Sequence, residues 1–146
     1  MSRTVHVATE GVRIPVARER VVSLAEGVLR AERVRDATVS VAFVTDRRIA
    51  GLNRRHLGHA GPTDVISFAF EPVGPQAEVV GDVYISPDVA RKNARTHGRG
   101  VREELLRLVV HGVLHVVGHD HPEGDTRYQS RMWKRQEQLL RTLGAA

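Results

Sequence analysis

The chain contains no cysteine. That excludes a disulfide framework and restricts any metal site to His, Asp and Glu ligands. Aromatic residues are scarce, at 4%, so the core has to be built from Val, Leu, Ile and Ala. No apolar run is long enough to cross a bilayer. The N-terminus, MSRTVHVATEGVRIPV, lacks the apolar block of a secretory signal. The expectation is a cytoplasmic protein with no membrane partner. There is no repeat, no low-complexity tract and no linker long enough to divide the chain. Residues 1–146 are therefore expected to form one domain, large enough to bury most of its apolar surface.

The composition, 41% apolar and 27% charged, is that of an ordinary globular protein. The formal net charge of +5 favours phosphate-rich partners such as RNA. An Arg-heavy composition also has a bland reading, the base composition of a genome.

Periodicity lays out the elements. RTVHVAT at 3–9 alternates as a strand. Pro15 opens an amphipathic stretch in which Val21, Val22, Leu24, Ala25, Val28 and Leu29 fall near helical spacing. ATVSVAFVT at 37–45 is a second strand, and Thr45 and Asp46 cap a short helix, DRRIAGLNRRHL. DVISFAF at 64–70 and EVVGDVYI at 78–85 are two further strands, joined by the exposed loop EPVGPQA. Ser86 and Pro87 start a helix that stops at Gly98. VREELLRLVVHGVLHVV is the most apolar helix and ends at Gly118; a last helix runs from about Thr126 to Leu143. The order predicts an α+β fold, with one small mixed sheet of about four strands, helices packed around it and a metal-bearing central helix.

The stretch HGVLHVVGHDH, 111–121, concentrates four of the eight histidines. His111 and His115, four apart, share a helix face and can reach one ion. His119 continues the spacing, but eight residues of helix climb about 12 Å, too far for one ion with bonds of about 2 Å. Gly118 can turn the chain through a left-handed conformation. That brings Asp120 or His121 back toward the ion, with His121 preferred. Three imidazoles and one open position make a catalytic zinc site, one ion per chain. At such an ion the pKa of water falls to about 7. The same donors also accept nickel, cobalt or copper. His119 is either an outer contact of the site or a solvent-facing turn residue. His6, His56, His59 and His97, taken singly, read as core histidines with satisfied hydrogen bonds.

The spacing also fits the metzincin peptidases, HExxHxxGxxH, but their catalytic Glu position is Gly112 here. A zinc peptidase lacking its base is the third-ranked reading. The segments LNRRHLGHAGPTDVISF, GDVYIS, REELLRLVVHGVLHVVGHDH and MWKRQEQLL together resemble the YbeY family over about Leu52 to Leu140. The resemblance implies zinc ligands His111, His115 and His121. It implies a single-strand-specific, metal-dependent endoribonuclease acting in ribosomal RNA maturation, at the 3′ end of the small-subunit RNA, and in ribosome quality control. Its partners would be RNA in ribosomal particles, with ribosomal or assembly proteins. The alternative is a non-catalytic, zinc-stabilised ribosome-assembly factor that binds RNA.

Two positions depart from the family pattern: His119 where Tyr is common, and Leu57 where members often carry Arg. Arg54 and Arg55 are the candidates to replace that cation at the site. Arg91, Lys92 and Arg95 join them as candidates to hold the RNA backbone. Thr63 and Asp64 either line the cleft or hydrogen-bond their own turn. Asp82 reads as structural, tying a strand end to neighbouring backbone, and Asp120 as orienting a ligand histidine or capping the turn.

Overall fold

The structure, a computed structural model, describes residues 2–71, 77–120 and 130–144. Four strands and five helices follow in the order β1 (Arg3–Glu10), α1 (Arg18–Ala31), β2 (Ala37–Val44), α2 (Asp46–Leu52), β3 (Val65–Phe70), β4 (Val79–Ile85), α3 (Pro87–Thr96), α4 (Val101–Val116) and α5 (Arg131–Leu143). The sheet order is β1-β2-β4-β3. β1, β2 and β4 are parallel, and β3 runs antiparallel to β4 at the edge. The α+β class and the mixed four-stranded sheet agree with the sequence reading. The loop expected at 71–77 and the turn after Asp120 lie largely outside the described residues.

Local signals act as the sequence suggests. The hydroxyl of Thr45 accepts from the Arg48 N–H and that of Ser86 from the Val89 N–H, each at 3.2 Å. These satisfy amides that a helix start leaves without partners. Helix α1 begins at Arg18, three residues after Pro15, with Ala17 as an N-cap that offers no side-chain acceptor. The helix expected as DRRIAGLNRRHL is α-helical only to Leu52; Asn53–Leu57 widen into one π-helical turn, closed by Gly58 at φ +70°. Asp82 does not tie to backbone as expected. It stands opposite Ser40 on β2 and accepts its hydroxyl at 2.5 Å.

Helix α4 is the centre of the packing. It touches β3, β4, α1, α3 and α5 and buries Leu105, Leu106, Leu108, Val109, Val110, Val113, Leu114 and Val116. The same core takes Val39, Val41 and Phe43 of β2, Val83 and Ile85 of β4, and Val21, Leu24, Val28 and Leu29 of α1. At Gly112 the helix comes so close to the sheet that a Cβ would sit 2.4 Å from Val83 Cγ1 and 3.3 Å from Ser67 Oγ. The Ser67 hydroxyl donates to the Gly112 carbonyl at 3.2 Å across the same contact. The helix ends as its glycine requires. Gly118 has φ +109°, its N–H reaches His115 O at 3.0 Å, and His119 N reaches Leu114 O at 2.9 Å, a Schellman closure.

Gly112→Ala adds helix propensity worth about 1 kcal/mol but overpacks a close contact, which costs about 1–3 kcal/mol. The expected outcome in urea unfolding is a net loss of stability. Val83→Ala in the same chain should recover part of it. Additive losses in that double-mutant cycle would show that Val83 is not what Gly112 avoids.

Candidate metal centre

His111 and His115 sit one turn apart on α4, with ring centroids 4.6 Å apart and planes at 76°. Both are half-buried. They line a cleft whose other wall is β3, with Thr63, Asp64 and Ser67, and whose rim carries Leu57 and His59. The cleft follows from helical geometry. Gly112 faces β4, so the neighbouring stripe, positions 108, 111 and 115, points toward the open side beyond it. His111, Asp64 and Val65 also line an adjoining pocket that contains Arg99, Trp133 and Gln136. His111 therefore stands between the two.

Two imidazoles facing one cleft, one turn apart, fit a zinc ion or another borderline metal. Among the described residues no three His, Asp or Glu side chains converge on one point. His121, the expected third ligand, lies outside the described residues.

Asp64 both lines the cleft and holds its turn. Its Oδ1 accepts from the Val65 N–H at 2.8 Å and from the Thr63 hydroxyl at 3.4 Å, and its Oδ2 accepts from Asn93 of α3 at 3.3 Å. Asn53 secures the loop above, donating to Gly61 O at 2.9 Å.

The structure separates other candidates from the cleft. Arg54 and Arg55 are exposed and do not line it. In the π-helical turn the cleft-side positions are Asn53 and Leu57, so the residues between them point away. Arg55 Nε donates back to Gly51 O at 3.4 Å, and Arg54 borders a shallow depression beside Arg47 and Gly61. Arg91 of α3 is held by Asp88 at 2.9 Å and by Arg13 O at 3.1 Å; Lys92 and Arg95 are exposed. His119 turns to the end of α1, where its Nε2 meets Glu32 Oε1 at 2.5 Å. Asp120 is exposed. The core reading of the single histidines is corrected: His6, His56, His59 and His97 are all exposed. His56 stands edge-on to Phe68 with centroids 5.1 Å apart, His97 Nδ1 lies 2.9 Å from Asn93 O, and His59 is at the cleft rim.

The sequence reading passed over the side chains that touch His111. Gln136 of α5, 1% exposed, places Oε1 2.6 Å from His111 Nδ1. Its amide nitrogen donates to Glu137 Oε2 at 3.0 Å. Arg107 of α4 forks onto Glu137, with Nε to Oε2 at 2.9 Å and a terminal nitrogen to Oε1 at 3.0 Å. Its remaining donors reach Glu104 and Glu103, each at 3.0 Å. Burial would raise the Glu137 carboxyl, but hydrogen bonds from Arg107 and Gln136 outweigh it and hold the group below the usual carboxylate range. Burial likewise opposes charge on Arg107, and the carboxylates reverse that and raise its pKa. A signal was present in the sequence: Met132, Gln136 and Leu139 or Leu140 form the apolar stripe of α5, and a glutamine on such a stripe needs a buried partner.

Comparison with known proteins gives one family. The profile of the family described as Endoribonuclease YbeY matches residues 6–144. A Frankia alni protein named Endoribonuclease YbeY is 38% identical over 147 residues, covering 93% of this chain and 80% of the relative. A Pelotomaculum thermopropionicum protein of the same name is 41% identical over 122 residues, covering 80% and 79%. The solution structure of a Thermotoga maritima protein superposes with a TM-score of 0.61 at 26% identity, over 96% of this chain and 89% of that one.

Glu32 provides a pH test of the packing behind the site. Burial would raise its carboxyl, but hydrogen bonds from Arg135, at 2.8 Å, and from His119 outweigh it and hold it below its usual range. A depressed folded pKa gives stability that is present above the unfolded value, about 4.3, and is lost as pH falls through the folded value. Glu32→Gln should lose on the order of 1 kcal/mol at neutral pH. Its urea midpoint should also fall less than that of the wild type between about pH 6 and pH 3. Parallel pH curves for the two proteins would refute the assignment.

Proposed function

The chain belongs to the endoribonuclease YbeY family, and from that premise we propose that it is a metal-dependent endoribonuclease that cuts single-stranded RNA. The proposed setting is ribosomal RNA maturation in the cytoplasm, at the 3′ end of the small-subunit RNA, with a part in ribosome quality control. The substrate would be met in ribosomal particles, beside ribosomal or assembly proteins. The observation that carries the reading is the pair His111 and His115, one helical turn apart and both facing an open cleft. His121 is the proposed third ligand. Zinc held by the three would polarise a phosphoryl oxygen and make a water easier to deprotonate.

The chain's own groups bind and orient. Asp64, with both oxygens engaged, fixes the cleft wall rather than serving as a free base. Ser67 ties β3 to the helix between the two histidines. Arg54, Arg55, Lys92 and Arg95, exposed and outside the cleft lining, would contact phosphates along the strand and make binding salt-dependent. One observation favours the second reading, a zinc-stabilised assembly factor. Leu57, 49% exposed at the cleft rim, stands where the family resemblance implies an Arg. The peptidase reading is disfavoured by packing, because any side chain at 112 meets Val83.

The test is cleavage of precursor small-subunit ribosomal RNA by zinc-loaded wild type beside His115→Ala prepared identically, with zinc content measured in both. The expected outcome is zinc and cleavage in the wild type, and loss of both by at least tenfold in the variant. Zinc in the wild type with no cleavage in either would move the assembly-factor reading ahead.

A further inference from the structure

We propose that Gln136 is a positioning residue that fixes His111 in the tautomer with its proton on Nδ1, leaving Nε2 as the nitrogen for a metal. Glu137 and Arg107 hold Gln136 in the one orientation that does so. The proposal rests on the metal-site reading above.

A neutral imidazole has one N–H and one bare nitrogen. An amide oxygen only accepts, so the 2.6 Å contact between Gln136 Oε1 and His111 Nδ1 requires a proton on Nδ1. The tautomer therefore depends on which way the amide faces. Flipped, it would present its NH2 and demand a bare Nδ1, which puts the proton on Nε2 and blocks metal binding there.

Glu137 decides the orientation. It stands 3.0 Å from the Gln136 nitrogen and, ionised, can only accept. Flipping the amide would set oxygen against carboxylate oxygen at a side chain only 1% exposed, where a low local dielectric makes such a repulsion costly. Glu137 is kept ionised by the two-pronged contact from Arg107. Arg107 is in turn fixed by Glu103 and Glu104. Each group leaves the next a single choice, and the series ends at the ligand nitrogen.

A structural role and a positioning role predict opposite orders for two variants. Gln136→Met keeps the volume and apolar packing of the stripe but cannot accept from Nδ1. Gln136→Glu keeps the acceptor but sets two carboxylates face to face, which weakens the fold. The measurements are long-range proton–nitrogen NMR of the imidazoles in the zinc-free protein, zinc affinity by chelator competition, and urea unfolding. The wild type should show His111 protonated on Nδ1 before any metal is added. Gln136→Met should shift His111 toward protonation on Nε2 and bind zinc about 10- to 100-fold more weakly, with near-normal stability. Gln136→Glu should keep the Nδ1 proton and bind zinc within a few-fold of wild type, although it unfolds more readily.

A wild-type His111 protonated on Nε2 overturns the proposal. So does a folded Gln136→Met that binds zinc as tightly as wild type. If Gln136→Met does not fold, Gln136→Glu decides: retention of the Nδ1 proton supports the proposal and its loss overturns it. The tautomer is read without metal. A wild type that shows the Nδ1 proton yet binds no zinc would fail the metal-site reading while leaving the hydrogen-bond assignment standing.

Discussion

The contact between Gly112 and Val83 sets the position of everything around it. Helix α4 lies against β4 at a distance that admits no Cβ at residue 112. With that face pressed to the sheet, the rotation of the helix about its axis is fixed, and with it the direction of Leu108, His111 and His115. These form one stripe along the margin between the helix and edge strand β3. Leu108 falls in the adjoining pocket, His115 in the cleft beside β3 and His111 in both. The same contact decides between chemistries that share the histidine spacing. A peptidase of this spacing places its glutamate at the position that is most tightly packed here, so the sheet excludes the base that such a reaction needs.

The polar cluster behind His111 is costly for a protein of this size. Arg107 and Glu104 are each 6% exposed, and removing charges from water is recovered only when hydrogen bonds are nearly complete. A buried ion pair is weak evidence for stability, since apolar groups of similar volume often do as well. What apolar groups cannot do is impose direction. The guanidinium fork matches both oxygens of Glu137, so the carboxylate cannot rotate and its neighbour's amide faces one way. Helix α5 in this way governs a ring on α4 from 25 residues away in sequence.

Much of this was legible in the chain. Helical spacing located α4 and its paired histidines, and alternation located the four strands. Thr45, Ser86 and Gly118 mark helix ends because their roles need only neighbouring amides and carbonyls. What escaped is non-local. Strand order depends on pairings far apart in sequence, and nothing within VISFAF says that it runs against β4 at an edge. His119 continues the i, i+4 series and so resembles a ligand. The turn at Gly118 swings it instead toward Glu32, 87 residues away. Arg54 and Arg55 sit beside the position where a cation is common, yet a π-helical turn changes the angle per residue and directs them outward. Gln136 was hidden for another reason. Its place on the apolar stripe of α5 marks it as buried, but the stripe does not say which side chain it meets.

Leu57 bears on how such a cleft could work when no guanidinium lines it among the described residues. A cation held in a water-poor site against developing charge is worth several kcal/mol, because it is already oriented. Arg54, Arg55, Lys92 and Arg95 are exposed and outside the cleft lining, so salt screens their attraction for a polyanion, and they suit holding the strand more than choosing one phosphate. An exposed leucine offers nothing to phosphate, but it can lie against the apolar face of a base or ribose. Among the described residues, selectivity for one phosphate would then rest on the histidine stripe, on the ring orientation that α5 imposes on it and on Arg99 in the adjoining pocket. The more the exposed cations outside the cleft are left to hold the strand, the more the outcome depends on which nitrogen of His111 faces the cleft.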